Sequence, residues 1–65
     1  MIKVVAKNYI KEEKINEVLE IINELIEETR KEKGCIIYEL FQDVQNKGVI
    51  TFIEEWENKQ NWINE

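Results

Sequence analysis

The spacing of apolar residues along this chain changes twice, and this change restricts the fold more than any other feature. Apolar residues largely alternate in residues 2–10, recur every third or fourth position in residues 11–33, and form short runs rich in β-branched and aromatic residues in 35–43 and 49–56. Alternation and short runs of this composition predict strands, and the period of three to four predicts an amphipathic helix. Residues 58–65 then begin a second helix. The order β-α-β-β-α predicts an α+β, ferredoxin-like split β-α-β fold with an antiparallel sheet and its last strand missing.

Short polar segments mark the ends of these elements. Gly34 follows the long helix, where glycine readily takes the left-handed conformation that ends helices. Asn58 precedes the second helix and is a suitable N-cap. The segment VQNKG, residues 44–48, has the composition of a hairpin turn. We therefore expect the second and third strands to be antiparallel neighbours.

The apolar face of the first strand contains one polar residue, Asn8, in line with Ile2, Val4, Ala6 and Ile10. One interpretation is a buried amide whose hydrogen bonds are satisfied by the backbone. The other is a donor that orients a ligand oxygen or stabilises a developing oxyanion.

Both faces of the second and third strands carry apolar side chains. Strict alternation places Ile36, Tyr38 and Leu40 on one face and Ile37, Glu39 and Phe41 on the other. A sheet with one face in water alternates more cleanly than this. Because the helices cover only one face, we expect a two-fold homodimer whose sheets stack face to face. The first strand and residues 35–43 should contribute most of that contact.

The composition excludes several kinds of support and chemistry. A domain of 65 residues buries only about 60% of its unfolded surface, so it usually relies on disulfides, a metal or a partner. With one cysteine, Cys35, and no histidine, an internal disulfide is impossible and a zinc site is not expected. The absence of histidine also excludes catalysis by a Ser-His-Asp triad or a Cys-His pair. We expect no metal and no cofactor, and we interpret Cys35 as a small apolar side chain.

The charge balance limits the partners. Nine basic residues against fourteen acidic residues give a net charge of −5. Such a surface repels nucleic-acid phosphates and anionic membranes, so neither is an expected partner. No apolar run approaches the length of a membrane span. A single cysteine is compatible with a reducing compartment, so the expected location is the cytoplasm.

Three segments carry a family resemblance: IKVVAKNYI, EEKINEVLEIINELIEETRKEKGCIIYELFQD and ITFIEEWENKQNW. They resemble the antibiotic biosynthesis monooxygenase, or quinol-monooxygenase-like, family across essentially the whole chain. The resemblance implies a dimeric α/β barrel, in which the sheets of two ferredoxin-like domains join. It also implies that residues 1–65 form a single domain that lacks its C-terminal part. Characterised members oxidise polycyclic phenols, anthrones or quinols with molecular oxygen, without metal or flavin.

The resemblance also implies functional positions. Asn8 falls where haem-degrading relatives keep a catalytic asparagine, and Trp56 falls where a tryptophan lines the pocket of anthrone-oxidising relatives. Asn8 and Trp56 are therefore the predicted catalytic residues. Phe52 stands where those anthrone-oxidising relatives use an asparagine, and Glu65 stands where many members carry a histidine. Without histidine, haem ligation is not expected.

Three aromatic side chains complete the predicted site as substrate-binding residues, because ligand pockets are rich in aromatic groups: Tyr38, Phe52 and Trp62. For Tyr38, Trp56 and Trp62 the alternative is an ordinary core position. A general base could come from one of three glutamates if its surroundings are apolar, and otherwise these are solvated strand residues: Glu39, Glu54 and Glu55.

The leading functional hypothesis is a cofactor-independent monooxygenase that acts on a small phenolic, quinol or anthrone-like substrate with molecular oxygen. Such a substrate supplies the reactive electrons itself, so the protein need only bind a flat ring, orient its oxygens and exclude water. The alternative is a non-catalytic dimeric module that binds a small ligand or supports an assembly. A purely structural dimerisation domain without a pocket is a third possibility.

Overall fold

The computed structural model describes residues 1–63, and Glu65 lies outside this range. The described residues form three strands and two helices in the predicted order: β1 Ile2–Tyr9, α1 Ile15–Arg30, β2 Cys35–Gln42, β3 Val49–Trp56 and α2 Lys59–Ile63. No helix within this range is long and apolar enough to cross a membrane. The α+β fold predicted from the sequence is confirmed.

The sheet has the order β1-β3-β2, and both pairings are antiparallel. The predicted hairpin between β2 and β3 is therefore confirmed. Its turn is held by the Asp43 carboxylate, which accepts hydrogen bonds from the backbone N–H groups of Gln45 and Asn46 at 2.9 and 2.8 Å. Gly48 allows the hairpin to approach the end of β1, because a Cβ there would lie 2.5 Å from the Ile10 carbonyl oxygen.

The first helix is shorter than the apolar period predicts. Residues 12–14 form a 3₁₀ turn, and α1 begins at Ile15. Its buried face carries Ile22, Ile26 and Thr29. At the other end, Arg30 donates from Nε to the Tyr38 carbonyl oxygen at 3.0 Å and so ties the helix to the outer strand β2.

A β-bulge interrupts the start of β2. The register slips between Cys35 and Ile37, and Cys35 pairs with Trp56 while Ile37 pairs with Glu55. Ile36 is the extra residue and remains half exposed, whereas Cys35 packs against the core. The predicted placement of Tyr38 and Leu40 on one face and of Ile37, Glu39 and Phe41 on the other is confirmed, and the bulge interrupts the strict alternation only at the start of the strand.

The core lies between α1 and one face of the sheet. Its buried apolar side chains are Ile22, Ile26, Tyr38, Ile50 and Trp56. The helix-facing positions alternate along the paired strands, so Ala6, Phe52 and Leu40 lie side by side on this face. We call the opposite face the open sheet face, because no element of the described residues covers it. Its side chains are Lys3, Val5, Lys7 and Tyr9 from β1, Ile37, Glu39 and Phe41 from β2, and Val49, Thr51, Ile53 and Glu55 from β3.

Gly34 connects α1 to β2 at a point where two contacts restrict it. Its φ is +85°, and a Cβ there would collide with the side chain of Asn61 in α2. Its carbonyl oxygen accepts a hydrogen bond from the Glu57 N–H at 2.8 Å. Asn58 caps α2 as predicted, because its Oδ1 accepts from the Asn61 N–H at 2.9 Å.

Replacing Gly34 by alanine is expected to lower the free energy of unfolding by about 1–3 kcal/mol, because an L-residue is strained at positive φ. Urea unfolding followed by circular dichroism measures the loss. The double variant Gly34→Ala/Asn61→Ala removes the contacts with the Asn61 carboxamide but keeps the Cβ at position 61, 2.7 Å away, and the backbone strain, so it should recover only part of the loss. Unchanged stability of Gly34→Ala would contradict the conformation at this junction.

Candidate functional site

An open groove of about 340 Å³ lies between α1 and the neighbouring part of the sheet. The groove is lined from three elements: Val18, Ile22 and Leu25 of α1, Ile50 and Phe52 of β3, and Asn8, Tyr9 and Ile10 at the end of β1. The register explains this grouping, because Asn8 pairs with Ile50 and both therefore face the helix. The groove is apolar apart from the Asn8 side chain, since alternation directs the Tyr9 side chain to the open sheet face.

Asn8 is exposed at the edge of the groove. Its Nδ2 donates to the Ala6 carbonyl oxygen of the same strand at 3.5 Å, which is long for a hydrogen bond. The amide is therefore not the buried, fully satisfied group that the structural interpretation predicted. An amide in this position can donate to, or accept from, a ligand oxygen.

Phe52 lies on the floor of the groove, beside the buried ring of Tyr38. The two ring centroids are 5.6 Å apart and the rings are inclined by 51°. This tilted arrangement is one that aromatic pairs favour. Tyr38 is 6% exposed and does not line the groove, so it packs against Phe52 from within the core. The structure thus brings together two of the predicted site residues, Asn8 and Phe52.

Trp56 is enclosed in the core rather than placed at the groove. Its side chain is 0% exposed, and its Nε1–H donates to Glu54 Oε1 at 3.0 Å. Glu54, on the same face of β3, is itself 7% exposed. The pair lies towards the end of β3 that meets Ile2, away from Asn8 at the other end. A tryptophan with its N–H engaged inside the core is typical of a packing residue.

Trp62 is half buried in α2 and packs against the core, outside the groove. Cys35 is also half buried against the core, as expected for a small apolar side chain. Of the carboxylates considered as a general base, Glu39 and Glu55 lie on the open sheet face, and Glu54 is paired with Trp56. Within residues 1–63, no group of three His, Cys, Asp or Glu side chains is arranged to hold a metal ion.

Two other cavities are less suited to a flat apolar ligand. One, of about 470 Å³, lies between the β1–α1 connection and the hairpin, where Asn46 Oδ1 accepts from the Gly48 N–H at 3.1 Å. The other, of about 400 Å³, lies at the outer edge of β2 beside Arg30. Neither contains Asn8 or Phe52. The groove is therefore the candidate site.

Comparison with known proteins agrees with the α+β fold described above. The sequence profile of the antibiotic biosynthesis monooxygenase family matches residues 1–64. The chain belongs to this family. A solved antibiotic biosynthesis monooxygenase is 42% identical, with a TM-score of 0.95 over 98% of this chain and 67% of its own. A conserved protein from Methanosarcina mazei Go1 is also 42% identical, with a TM-score of 0.90 over 95% of this chain and 61% of its own.

A Pseudomonas aeruginosa protein, 21% identical, shares the fold with a TM-score of 0.89 over 95% of this chain and 63% of its own. The chain thus spans 61 to 67% of the length of these structures. No curated protein matches it. The family carries a monooxygenase name, and the fold of this member is that of the family.

Sequence reasoning missed the aliphatic wall of the groove: Ile10, Val18, Ile22, Leu25 and Ile50. A signal was present in the helix, because Val18 and Leu25 lie on one flank of its apolar stripe and Leu25 remains 47% exposed. A stripe wider than the buried face indicates a second contact for that flank. The period alone does not say whether that contact is a ligand or another element.

Proposed function

We propose that this protein is a cofactor-independent monooxygenase that oxidises a phenolic, quinol or anthrone-like aromatic compound with molecular oxygen. The observation that carries the proposal is an apolar groove with one exposed amide, Asn8, at its edge. Apolar pockets with a few placed polar groups are the usual form of small-molecule sites. The 42% identical antibiotic biosynthesis monooxygenase supports the reaction class.

In the proposed reaction, the aliphatic wall and Phe52 bind the substrate ring, and Asn8 donates a hydrogen bond to its oxygen. Loss of the phenolic proton to water at the open edge gives an electron-rich anion. The Asn8 amide favours that anion because a donor aimed at developing negative charge stabilises it. Asn8 is therefore the proposed catalytic residue.

The oxygen chemistry balances without an added reductant. The anion passes one electron to oxygen, and the radical pair joins to form a carbon–oxygen bond. Breaking the O–O bond and losing the C–H hydrogen then places one oxygen atom in the product and the other in water. A phenol thus becomes a para-quinone, and an anthrone CH₂ becomes a carbonyl, each with one O₂ consumed and one water released. The substrate loses four electrons and O₂ gains four.

The other predicted site residues take supporting roles in this proposal. Phe52 contacts the substrate, and Tyr38 holds Phe52 in place. Trp56 and Trp62 act as positioning residues, because they pack in or against the core on the same side of the sheet as the groove. This assignment differs from the pocket role of Trp56 that the resemblance implies.

The Asn8→Ala variant is expected to lose about 10²-fold in turnover, the usual effect of removing one donor to a developing oxyanion. Oxygen uptake with a panel of phenols, hydroquinones and anthrone measures this. Asn23→Ala, the same change at an exposed position of α1, is the matched control and should keep full activity. Absence of turnover above the Asn8→Ala level on every substrate would refute the proposed catalysis.

A non-catalytic ligand-binding module is the second candidate, and one observation favours it. None of the described residues lining the groove carries a carboxylate that could serve as a base. The two proposals differ in the fate of the ligand. An aromatic compound that co-purifies with the protein and leaves it chemically unchanged in the presence of oxygen would support the binding module.

We further propose that the protein is a homodimer in the cytoplasm, with the open sheet faces of two copies in contact. Three apolar side chains on this face are at least half exposed in one copy: Val5 at 69%, Tyr9 at 77% and Phe41 at 50%. The outer strands carry opposite charges there, with Lys3 and Lys7 on β1 and Glu39 on β2. Stacking β1 of one copy over β2 of the other pairs unlike charges, which favours that arrangement.

A further inference from the structure

The two flanks of the groove differ in polarity. Asn8 lies on the outer strand β1, at the open flank, where its amide is exposed. Ile22 and Ile50 lie on the covered flank beneath α1, and they are 8% and 1% exposed. A ligand that fills the groove therefore meets a hydrogen-bonding group on one side and only hydrocarbon on the other.

The Asn8 amide is available to such a ligand. Its hydrogen bond to the Ala6 carbonyl oxygen is 3.5 Å long and therefore weak. A hydrogen bond from the amide to a ligand oxygen at an ordinary distance would be stronger and would replace it. On the covered flank, Ile22, Ile50 and Phe52 offer no side-chain donor or acceptor. A second ligand oxygen placed there would be buried without a partner, which weakens binding about tenfold or more.

Size and charge restrict the ligand further. The groove measures about 340 Å³, and a cavity of about 150 Å³ suffices for benzene. One or two fused rings therefore fill the groove, and a longer polycyclic skeleton would extend beyond it. No lysine or arginine is among the described residues that line the groove, so an ionised carboxylate would lack a counter-charge there.

We propose that the ligand of this groove is a neutral one- or two-ring phenol that carries all its oxygen along one edge. The oxygen edge stays at Asn8, and the hydrocarbon edge enters beneath α1. This inference rests on the proposed function, because it narrows the substrate of the same site to phenols and disfavours para-quinols and anthrones.

The orientation also accounts for release of the product. Oxygen inserted at the ring carbon para to the phenolic oxygen lies on the covered flank, where the substrate carried only C–H. The reaction consumes one O₂, forms one C–O bond, and releases the second oxygen atom as water with the two hydrogens of the phenol O–H and the para C–H. The para-quinone then has an unpaired oxygen against Ile50 and binds more weakly than the phenol.

Three naphthalene derivatives test the proposal on the chain as it stands: 2-naphthol, 2,3-dihydroxynaphthalene and 2,6-dihydroxynaphthalene. The two diols have the same atoms, but only the 2,6 isomer carries oxygen at both ends. Titration without oxygen, followed by NMR signals of the Asn8 amide and the Ile22, Leu25 and Ile50 methyl groups, gives the affinities. We expect 2-naphthol and the 2,3-diol to bind with similar affinity and the 2,6-diol about tenfold more weakly.

The Asn8→Ala variant should bind 2-naphthol about three- to tenfold more weakly, which corresponds to the loss of one hydrogen bond. The matched Asn23→Ala variant should bind it as the wild-type chain does. Equal affinity for the two diols, or no change of the groove signals with any of the three, would overturn the proposal. Because the titration needs no oxygen, it measures binding whether or not the protein catalyses oxidation. Failure of the ligand proposal can therefore be distinguished from failure of the proposed monooxygenase function.

Discussion

Trp56→Ala is expected to leave most of the protein unfolded at room temperature. Truncating a buried tryptophan lowers the free energy of unfolding by about 3–5 kcal/mol, and a core of this size rarely supplies more than about 3–5 kcal/mol in total. Trp56 is 0% exposed, so little of that loss can be relieved by water. Urea unfolding followed by far-UV circular dichroism measures the effect. Trp62→Ala, at a half-buried position, is the control and should be milder.

The bond between Trp56 and Glu54 provides a sharper version of this test. Trp56→Phe keeps an aromatic ring but leaves the Glu54 carboxylate buried without its indole donor, a loss of about 1–3 kcal/mol in addition to the cost of the cavity that the smaller ring leaves. Glu54→Leu leaves the indole N–H unpaired in the same way. The double variant removes both polar groups and should be less destabilised than the sum of the two single losses. Trp56→Ala with wild-type stability would show that this side chain is not a core residue.

Phe41→Glu is expected to separate the dimer and to lower the melting temperature at the same time. Phe41 is half exposed on the open sheet face, so the added charge would be buried only where a second copy covers it. If dissociation of the dimer and unfolding of the chain occur together, the melting temperature also depends on protein concentration. Sedimentation across a concentration series, with thermal unfolding at each concentration, measures both effects.

Two matched substitutions distinguish the dimer contact from other causes. Val44→Glu places the same charge in the hairpin turn, where Val44 is 96% exposed, and should leave both mass and stability unchanged. Leu40→Glu points the charge into the core on the opposite face and should unfold the chain at every concentration. A well-folded wild-type monomer at high micromolar concentration would refute the dimer.

The candidate site was predictable only in part. Asn8 could be recognised as a candidate because it is a polar residue in an alternating apolar face. The sequence of a single strand is enough to show such an interruption. The burial of Trp56 in the core could not be predicted in the same way. Alternation puts Trp56 and Phe52 on the same face, but it does not indicate which end of that face α1 covers. The bulge at Ile36 also could not be predicted from the spacing of apolar residues, because an extra residue in one strand is defined only by the pairing of that strand with its neighbour.

The order of the strands and helices, the hairpin, the Gly34 junction and the Asn58 cap could all be predicted from the amino-acid sequence. Each of these depends on near neighbours in the chain: a period of two or nearly four residues, a turn composition, or one backbone conformation. Three features could be found only in the folded molecule: α1 leaves a groove beside Asn8, Phe52 forms the floor of that groove, and Trp56 is buried in the core with Glu54. Those contacts join residues distant in the chain, and their geometry depends on how α1 packs across paired strands rather than on any local pattern.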